Sequence, residues 1–555
     1  MPEWEALERE VRDLAGRVAE LEAHLGLAAH PVEPAPPPLE TPVAAGSAAD
    51  TASLFPVVGR ALLGLAGAYL LRSLAEAGVI SPGVGSAAGI LYAAGWLVWA
   101  GRTPASARLQ AAVHSLTAVL VLAPLLWEGA TKFHAISTWT AAWMLMAFGI
   151  FALAVSWRKN LLMVATIATL AVLGTSAALL LATHDLPPFT TAFLALAAAV
   201  ELSACLDHWL SERWLAAAAA DLSLLLAIAL VTGERGLPEI YAPIPHTWLI
   251  GAMAALLIVY LSSMIVRTLL RGFPCTGFEI AQSVAAFAIV LYGALRLSAT
   301  DPRLAPVIGA LVLCGGAGCY WLSFLRLEHR AAASRNFYTY STFAIVLVLA
   351  GSRILLHAGA DWLWLALTAA CAIASRVFRR TTLAVHAGVF LLVALVASGA
   401  ARQTAELLLG GSHDAVAVAP ALWLSGLAAL IALAFSAQAH PAVRLALAAM
   451  ASLACAAILA GCLNLGYHAL LGATASPAYC ATLRTAVLVI VALLLAWAAA
   501  RWKYTEFSRL VYPVMMLGAY RLLVYDLHEQ KAALFISLLV FGAALTALPR
   551  LKRAA

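Results

Sequence analysis

The sequence predicts an all-α polytopic helical membrane protein of about eighteen transmembrane helices, arranged as helical hairpins behind a short N-terminal coiled coil. Three observations predict it. Of the 555 residues, 63% are hydrophobic and 11% charged, with a mean hydropathy of +0.91; a soluble domain of this size with that balance would expose large apolar patches. After Leu54 the chain is a succession of apolar stretches of roughly 17 to 25 residues, the length needed to cross a hydrocarbon core of about 30 Å. Short polar breaks separate them, and their basic residues alternate between rich and poor, which fits helices rather than a barrel.

The first zone, residues 1–29, reads as a coiled coil. Trp4, Leu7, Val11, Leu14, Val18, Leu21 and Leu25 recur at alternating spacings of three and four, an a/d seam of about three heptads. Glu8 with Arg12 and Asp13 with Arg17 give i,i+4 pairs on its outside, and Arg17 and Glu22 stand where partner chains can pair. Homo-oligomerisation through residues 4–25 is one expectation; a lone amphipathic helix on the membrane or on its own chain is the other. Residues 30–53 carry Pro31, Pro34, Pro36, Pro37, Pro38 and Pro42 among Ala, Ser and Thr, and read as a tether. No basic segment followed by an apolar run opens the chain, so insertion is expected to rely on the first transmembrane helix.

The membrane domain covers 54–549, with spans expected at 54–75, 79–100, 109–127, 137–157, 160–183, 189–206, 213–232, 246–270, 278–298, 304–325, 337–357, 361–376, 382–401, 415–436, 441–461 with a re-entrant tail as an option, 480–502, 508–525 and 531–549. A basic cytoplasmic tail, 550–555, follows. If both ends are cytoplasmic, alternate loops and the tail on that side hold twenty basic residues, among them Arg102, Arg158, Lys159, Arg271, Arg380 and Lys503. The opposite loops hold five: Lys132, Arg235, Arg303, Arg402 and Lys531. Lys and Arg in short loops stay cytoplasmic, so the asymmetry predicts an even span count and cytoplasmic termini; the expected location is a bacterial inner membrane. Trp96, Trp99, Trp157, Trp214, Trp248, Trp321, Trp362, Trp497 and Trp502 lie near expected helix ends, as interfacial anchors do.

Several outward-going helices end alike. GAYLLRSLAEAG at 67–78, LYGALRLSATDP at 291–302, LAGSRILLHAGAD at 349–361 and LGAYRLLVYDLHE at 517–529 each carry an Arg, then an acidic residue, then a return helix, which suggests divergent hairpin repeats. With its coiled coil and Pro-rich linker, its first hairpin at 62–102 and its last at 517–545, the chain resembles the bacterial membrane proteins grouped as domain of unknown function 2339. Their last hairpin usually holds a basic residue and an Asp, here matching Arg521 and Asp526. The resemblance implies architecture and no activity.

Ionised groups inside hydrocarbon are costly and therefore default site candidates. Arg72, Arg296, Arg353, Arg484 and Arg521 fall near the periplasmic ends of their spans, where basic residues should be scarce. Each can snorkel to headgroups or neutralise a nearby acid, as Glu76 could for Arg72. Together they could form an anion-binding vestibule for phosphate, carboxylate or a lipid-linked headgroup, since guanidinium binds such groups in bidentate fashion. Glu201 and Asp221 flank a turn near residue 211 at equal separations and form the second candidate, a proton or cation relay; the alternative is that they reach headgroups or pair with Arg213. His114, His386 and His468, with Asn464, read as interhelical hydrogen bonders.

The eight cysteines have no CxxC and no supporting histidines at zinc spacing, so no metal site is expected. No phosphate-binding loop, H-E-x-x-H or G-x-S-x-G occurs, and neither a cofactor nor nucleic-acid binding is expected. The expected partners are membrane lipids and an anionic or lipid-linked substrate. A secondary transporter or lipid-handling protein leads, a non-catalytic envelope scaffold is the alternative, and a membrane-embedded transferase on lipid-linked substrates is third.

Overall fold

The computed structural model describes residues 46–553, apart from 105–106, 209, 300–302, 328–333, 411–415, 473–475, 503 and 527–530, together with 13, 14, 16, 17 and 20. The expected coiled coil and most of the tether therefore lie outside the described residues. Among the described residues there is no strand, and the chain divides into two compact units, 1–179 and 180–555.

The first unit is built from α1 (Gly46–Glu76), α2 (Pro82–Arg102), α3 (Arg108–Thr131), α4 (Thr138–Trp157) and most of α5 (Leu162–Thr183). The α1 helix begins at Gly46, within the stretch read as tether, and carries Pro56. Its turn into α2 uses Gly78 at φ +71°, a left-handed conformation that costs glycine little, followed by Ser81 and Pro82 as N-cap and first residue.

The second unit continues with α6 (Leu186–Cys205), α7 (Arg213–Val231), α8 (His246–Ile265), α9 (Gly277–Ser298), α10 (Leu304–Leu322), α11 (Ser334–Leu356), α12 (Ala360–Val377), α13 (Thr381–Ala397), α14 (Ala400–Leu409), α15 (Pro420–Phe435), α16 (Pro441–Leu471), α17 (Pro477–Trp502), α18 (Thr505–Val524) and α19 (Lys531–Arg553). α8 and α10 each end in a π-helical turn, at Val266–Leu270 and Ser323–Leu327.

By length and composition, 13 of the described helices can cross a membrane, or up to 14 with the bent pair α13 and α14 taken as one span. One of the 13 is the 43-residue stretch Arg335–Val377, which is in fact a hairpin. Trp364 Nε1 donates to Ser352 Oγ at 2.8 Å, whereas a continuous helix would hold residues twelve apart at about 18 Å. The chain reverses at His357, at φ +51°. With that stretch split and α1, α15 and α19 added, every expected span coincides with a helix. The molecule is an all-α, multi-pass integral membrane protein.

Two features depart from expectation. The optional re-entrant tail after residue 461 is a continuation of α16 to Leu471, with Asn464 fully buried in it. α14 was not anticipated. It follows a 71° bend at Gly399, φ +75°, and is ten residues long, too short for a span.

Packing follows membrane rather than aqueous logic. Buried faces are rich in small residues such as Ala141, Ala142, Ala451, Ala454 and Ala457, while Leu63, Leu91, Leu311 and Leu539 point outward. Lipid tails give no hydrophobic reason to bury a leucine, so close helix contact is the main source of cohesion. α10 and α11 are the sharpest case: a Cβ added at Gly351 would stand 2.6 Å from the Leu313 amide nitrogen, and one at Gly309 2.9 Å from that of Leu355. Trp99, Trp157, Trp214, Trp321, Trp362, Trp497 and Trp502 are exposed as anchors should be, but Trp96 is not. It is buried against Trp99 and His114, with ring centroids at 5.5 and 5.3 Å.

Candidate functional site

The five arginines do not share one environment. Arg72, late in α1, pairs with Glu128 near the end of α3 at 2.8 Å. Glu76, its expected neighbour, lies outside the described side chains. Arg296 is exposed and donates to the carbonyl of Thr232 at 2.6 Å. Arg353 is also exposed; it donates to the His357 carbonyl at 2.9 Å and stands 3.6 Å from Asp361.

Only Arg484 of α17 and Arg521 of α18 converge. Both are almost fully buried, and both donate to the Gly410 carbonyl, at 2.7 and 3.3 Å; Arg521 also donates to that of Leu408 at 2.9 Å. These carbonyls end α14, where the helix dipole is negative and backbone acceptors have no intrahelical donor. The two guanidiniums thus act as a cap for a helix end inside the bundle. Leu407 and Leu408 bury the inner side of α14, while Arg402 and Glu406 pair at 2.8 Å on its exposed side. Beside the cap, Thr485 Oγ1 donates to Asp526 Oδ2 at 2.8 Å.

Arg72 opens instead onto a cavity. A hollow of about 280 Å³ lies between α1, α2 and α3, at the low end of the range for small-molecule sites. Its walls are apolar, with Leu65, Leu71, Leu120 and Leu125 among them, and Arg72 and Glu128 are its charged groups. The sequence creates this space locally. α2 presents Gly85, Ser86 and Gly89, which have little or no side chain, and Pro124 interrupts the α3 backbone hydrogen bonds beside them. Leu125 enters where Gly89 lacks a Cβ, 2.2 Å from the position one would take. The hollow is thus apolar along the leucines and charged where Arg72 and Glu128 meet.

The second candidate, Glu201 with Asp221, separates into two different sites. Glu201 belongs to a buried ion lattice where α6 turns into α7 and α8 into α9. Arg213 Nε and Nη2 donate to the two Glu201 oxygens at 2.8 and 2.7 Å, and its Nη1 donates to Glu279 Oε1 at 2.9 Å. The same Glu279 oxygen accepts from Arg267 Nε at 2.8 Å, and Arg267 Nη1 reaches Asp207 at 3.0 Å. Phe278 lies under the Arg213 guanidinium at 4.2 Å, adding a cation–π contact.

The two hairpins mirror one another. Twelve residues separate Glu201 from Arg213, and twelve separate Arg267 from Glu279, with the charges reversed. Each hairpin therefore supplies the counter-charge for the other. The sequence pairing of Glu201 with Arg213 is what forms; Glu279 and Arg267 went unnoticed, though the repeated twelve-residue spacing around two turns could have revealed them. With Arg271, which lies 3.6 Å from Asp207, the lattice holds three acids and three bases. In this charge-balanced lattice both oxygens of Glu201 are held by Arg213, which ties the helix ends together.

Asp221 lies elsewhere, two turns into α7. Its Oδ2 accepts from Gln282 Nε2 of α9 at 2.8 Å, and its Oδ1 is buried without a hydrogen-bond partner among the described residues. Of the histidines, His386 shares a hydrogen bond of 3.0 Å with Tyr320 across α13 and α10, and His114 packs on tryptophans of α2. Among the described residues, no group of His, Cys, Asp and Glu could hold a metal ion.

Fold and site together define a multi-pass helical membrane protein with a small, mostly apolar hollow holding one ion pair in its first unit and a buried ion lattice in its second. No family model, curated protein or solved structure matches the chain.

Proposed function

We propose that this chain is a lipid-handling or transport protein of the bacterial inner membrane, which takes an anionic amphiphile into the α1–α3 cavity against Arg72. The observation that carries the reading is the pairing of apolar walls with one ion pair, Arg72 and Glu128, in a hollow made by glycines and a proline. In this reading Glu128 holds Arg72 until an anionic headgroup competes for it. The excess of basic residues in alternate loops supports cytoplasmic termini, and in that orientation the cavity lies toward the periplasmic ends of its helices. Arg484 and Arg521 serve α14 rather than substrate. The likeness to domain of unknown function 2339 remains part of the proposal for architecture alone.

The test is photo-crosslinking of reconstituted protein with an acyl-diazirine phosphatidylglycerol, and with its phosphatidylcholine counterpart as control. Labelling of the α3 segment around Leu120 to Leu125 is expected to favour the anionic lipid. Arg72→Gln should weaken that preference by tenfold or more, since a hydrogen bond to a charged group is worth about 1.5–3 kcal/mol. Glu128→Gln should strengthen it by removing the competitor. Equal labelling by both lipids, or none within the cavity, would overturn the reading.

A further inference from the structure

A polar compartment lies inside the α6–α9 bundle, deeper than the ion lattice. Asp221 stands eight residues beyond Arg213, about 12 Å along α7. It is nine-tenths buried, and only one of its oxygens is satisfied, by the Gln282 amide. Tyr260 of α8 is 3% exposed, and its hydroxyl is likewise buried with no hydrogen-bond partner among the described residues.

The charged groups facing this compartment are accounted for helix by helix. Glu201 on α6 and Arg213 on α7 are bound to each other; Arg267 on α8 and Glu279 on α9 complete the lattice. Asp221 takes part in no ion pair among the described residues. A carboxylate oxygen and a phenol oxygen, both desolvated and both without a partner, are a costly arrangement in an apolar interior. A small cation at the free Asp221 oxygen satisfies the carboxylate, a hard donor suited to a proton or a sodium ion.

We propose that Asp221, held by Gln282, is a binding site for a monovalent cation, either a proton or a sodium ion. The site is separate from the amphiphile cavity and does not depend on that reading. It gives this membrane domain an ion to exchange, the ordinary use of a carboxyl held inside a helical bundle.

The experiment treats the full-length protein in proteoliposomes with dicyclohexylcarbodiimide, which modifies protonated membrane carboxyls, and locates adducts by peptide mass spectrometry. An adduct at Asp221 that does not change with added sodium chloride identifies a proton site. An adduct that falls tenfold or more with sodium, but not with choline chloride, identifies a sodium site. Asp221→Asn must abolish it, and Gln282→Leu, which removes the amide that holds Asp221, should change its yield or its sodium protection. An infrared difference spectrum between the original protein and Asp221→Asn is the independent check, since it reads the carboxyl band without requiring reagent access. No adduct at Asp221, together with a carboxyl band unaltered by the asparagine and by sodium, would overturn the proposal.

Discussion

Arg213 is the side chain on which the α6–α9 ends depend most, because two glutamates from different helices use its one guanidinium. Removing it alone strands Glu201, which has no other basic partner among the described residues, while Glu279 keeps Arg267; an uncompensated buried charge costs about 3–5 kcal/mol. Arg213→Ala should therefore lower the thermal stability of the detergent-solubilised protein sharply in fluorescence-detected gel filtration. The double replacement Arg213→Ala and Glu201→Ala should recover much of the loss, since it leaves Glu279 and Asp207 opposite Arg267 and Arg271 with no stranded charge. If the double variant is less stable than the single one, the pair contributes net attraction beyond charge balance. At this scale the sequence exposed the candidates and hid their partners. Glu201 and Asp221 stand out because an acid in an apolar run is conspicuous. That Asp221 meets Gln282, and Arg213 meets Glu279, depends on how α7 packs against α9, which local spacing does not encode. Arg72 shows the same limit: the helix-neighbour rule points to Glu76, while the partner found on folding is Glu128.

Helices were legible wherever length alone decides. Spans of the right apolar length emerged as helices, because inside lipid every backbone group must be bonded within the segment. α14 escaped because ten residues containing Arg402 and Glu406 resemble a loop, and only the Gly399 bend and the buried arginine cap turn them into a helix. The contact between α10 and α11 gives a discriminating prediction at this level. Gly351→Ala places a methyl against the α10 backbone at Leu313, which cannot give way as a side-chain tip can, so a loss of about 1–3 kcal/mol is expected. Gly315→Ala, on the same pair of helices, meets only Leu347 Cδ1 at an ordinary 3.7 Å. It should be neutral, or stabilising by up to about 1 kcal/mol through helix propensity. Thermal denaturation of the two variants in one detergent compares them directly; equal losses would remove close backbone approach as the reason for glycine at 351.

For the whole molecule, parity is the governing constraint. Each added or missing span reverses the side of every later loop, so the steady excess of basic residues in alternate loops constrains the count along the entire chain. Single cysteines in a background stripped of the membrane-exposed thiols Cys314 and Cys462 turn this into a measurement. Cysteine at Asn160 or Gln438, both exposed in basic-side loops, should resist a membrane-impermeant maleimide in right-side-out vesicles and react in inverted ones. Cysteine at His134 or Glu239, exposed in the opposite loops, should behave the other way round. Cys275, in the loop between α8 and α9, can remain: it is fully buried, and burial pushes its thiol up to about 11, so at neutral pH little reactive thiolate forms. The position that decides most is 438. It follows the bent pair α13 and α14 and the 16-residue α15, the shortest of the apolar spans. If that segment failed to complete its crossings, a cysteine at 438 would label together with one at 134. Labelling together with 160 instead requires an even number of crossings between the two, and the short helix α15 must then traverse the bilayer despite a length of about 24 Å, with local thinning or flanking anchors such as Trp423 making up the difference.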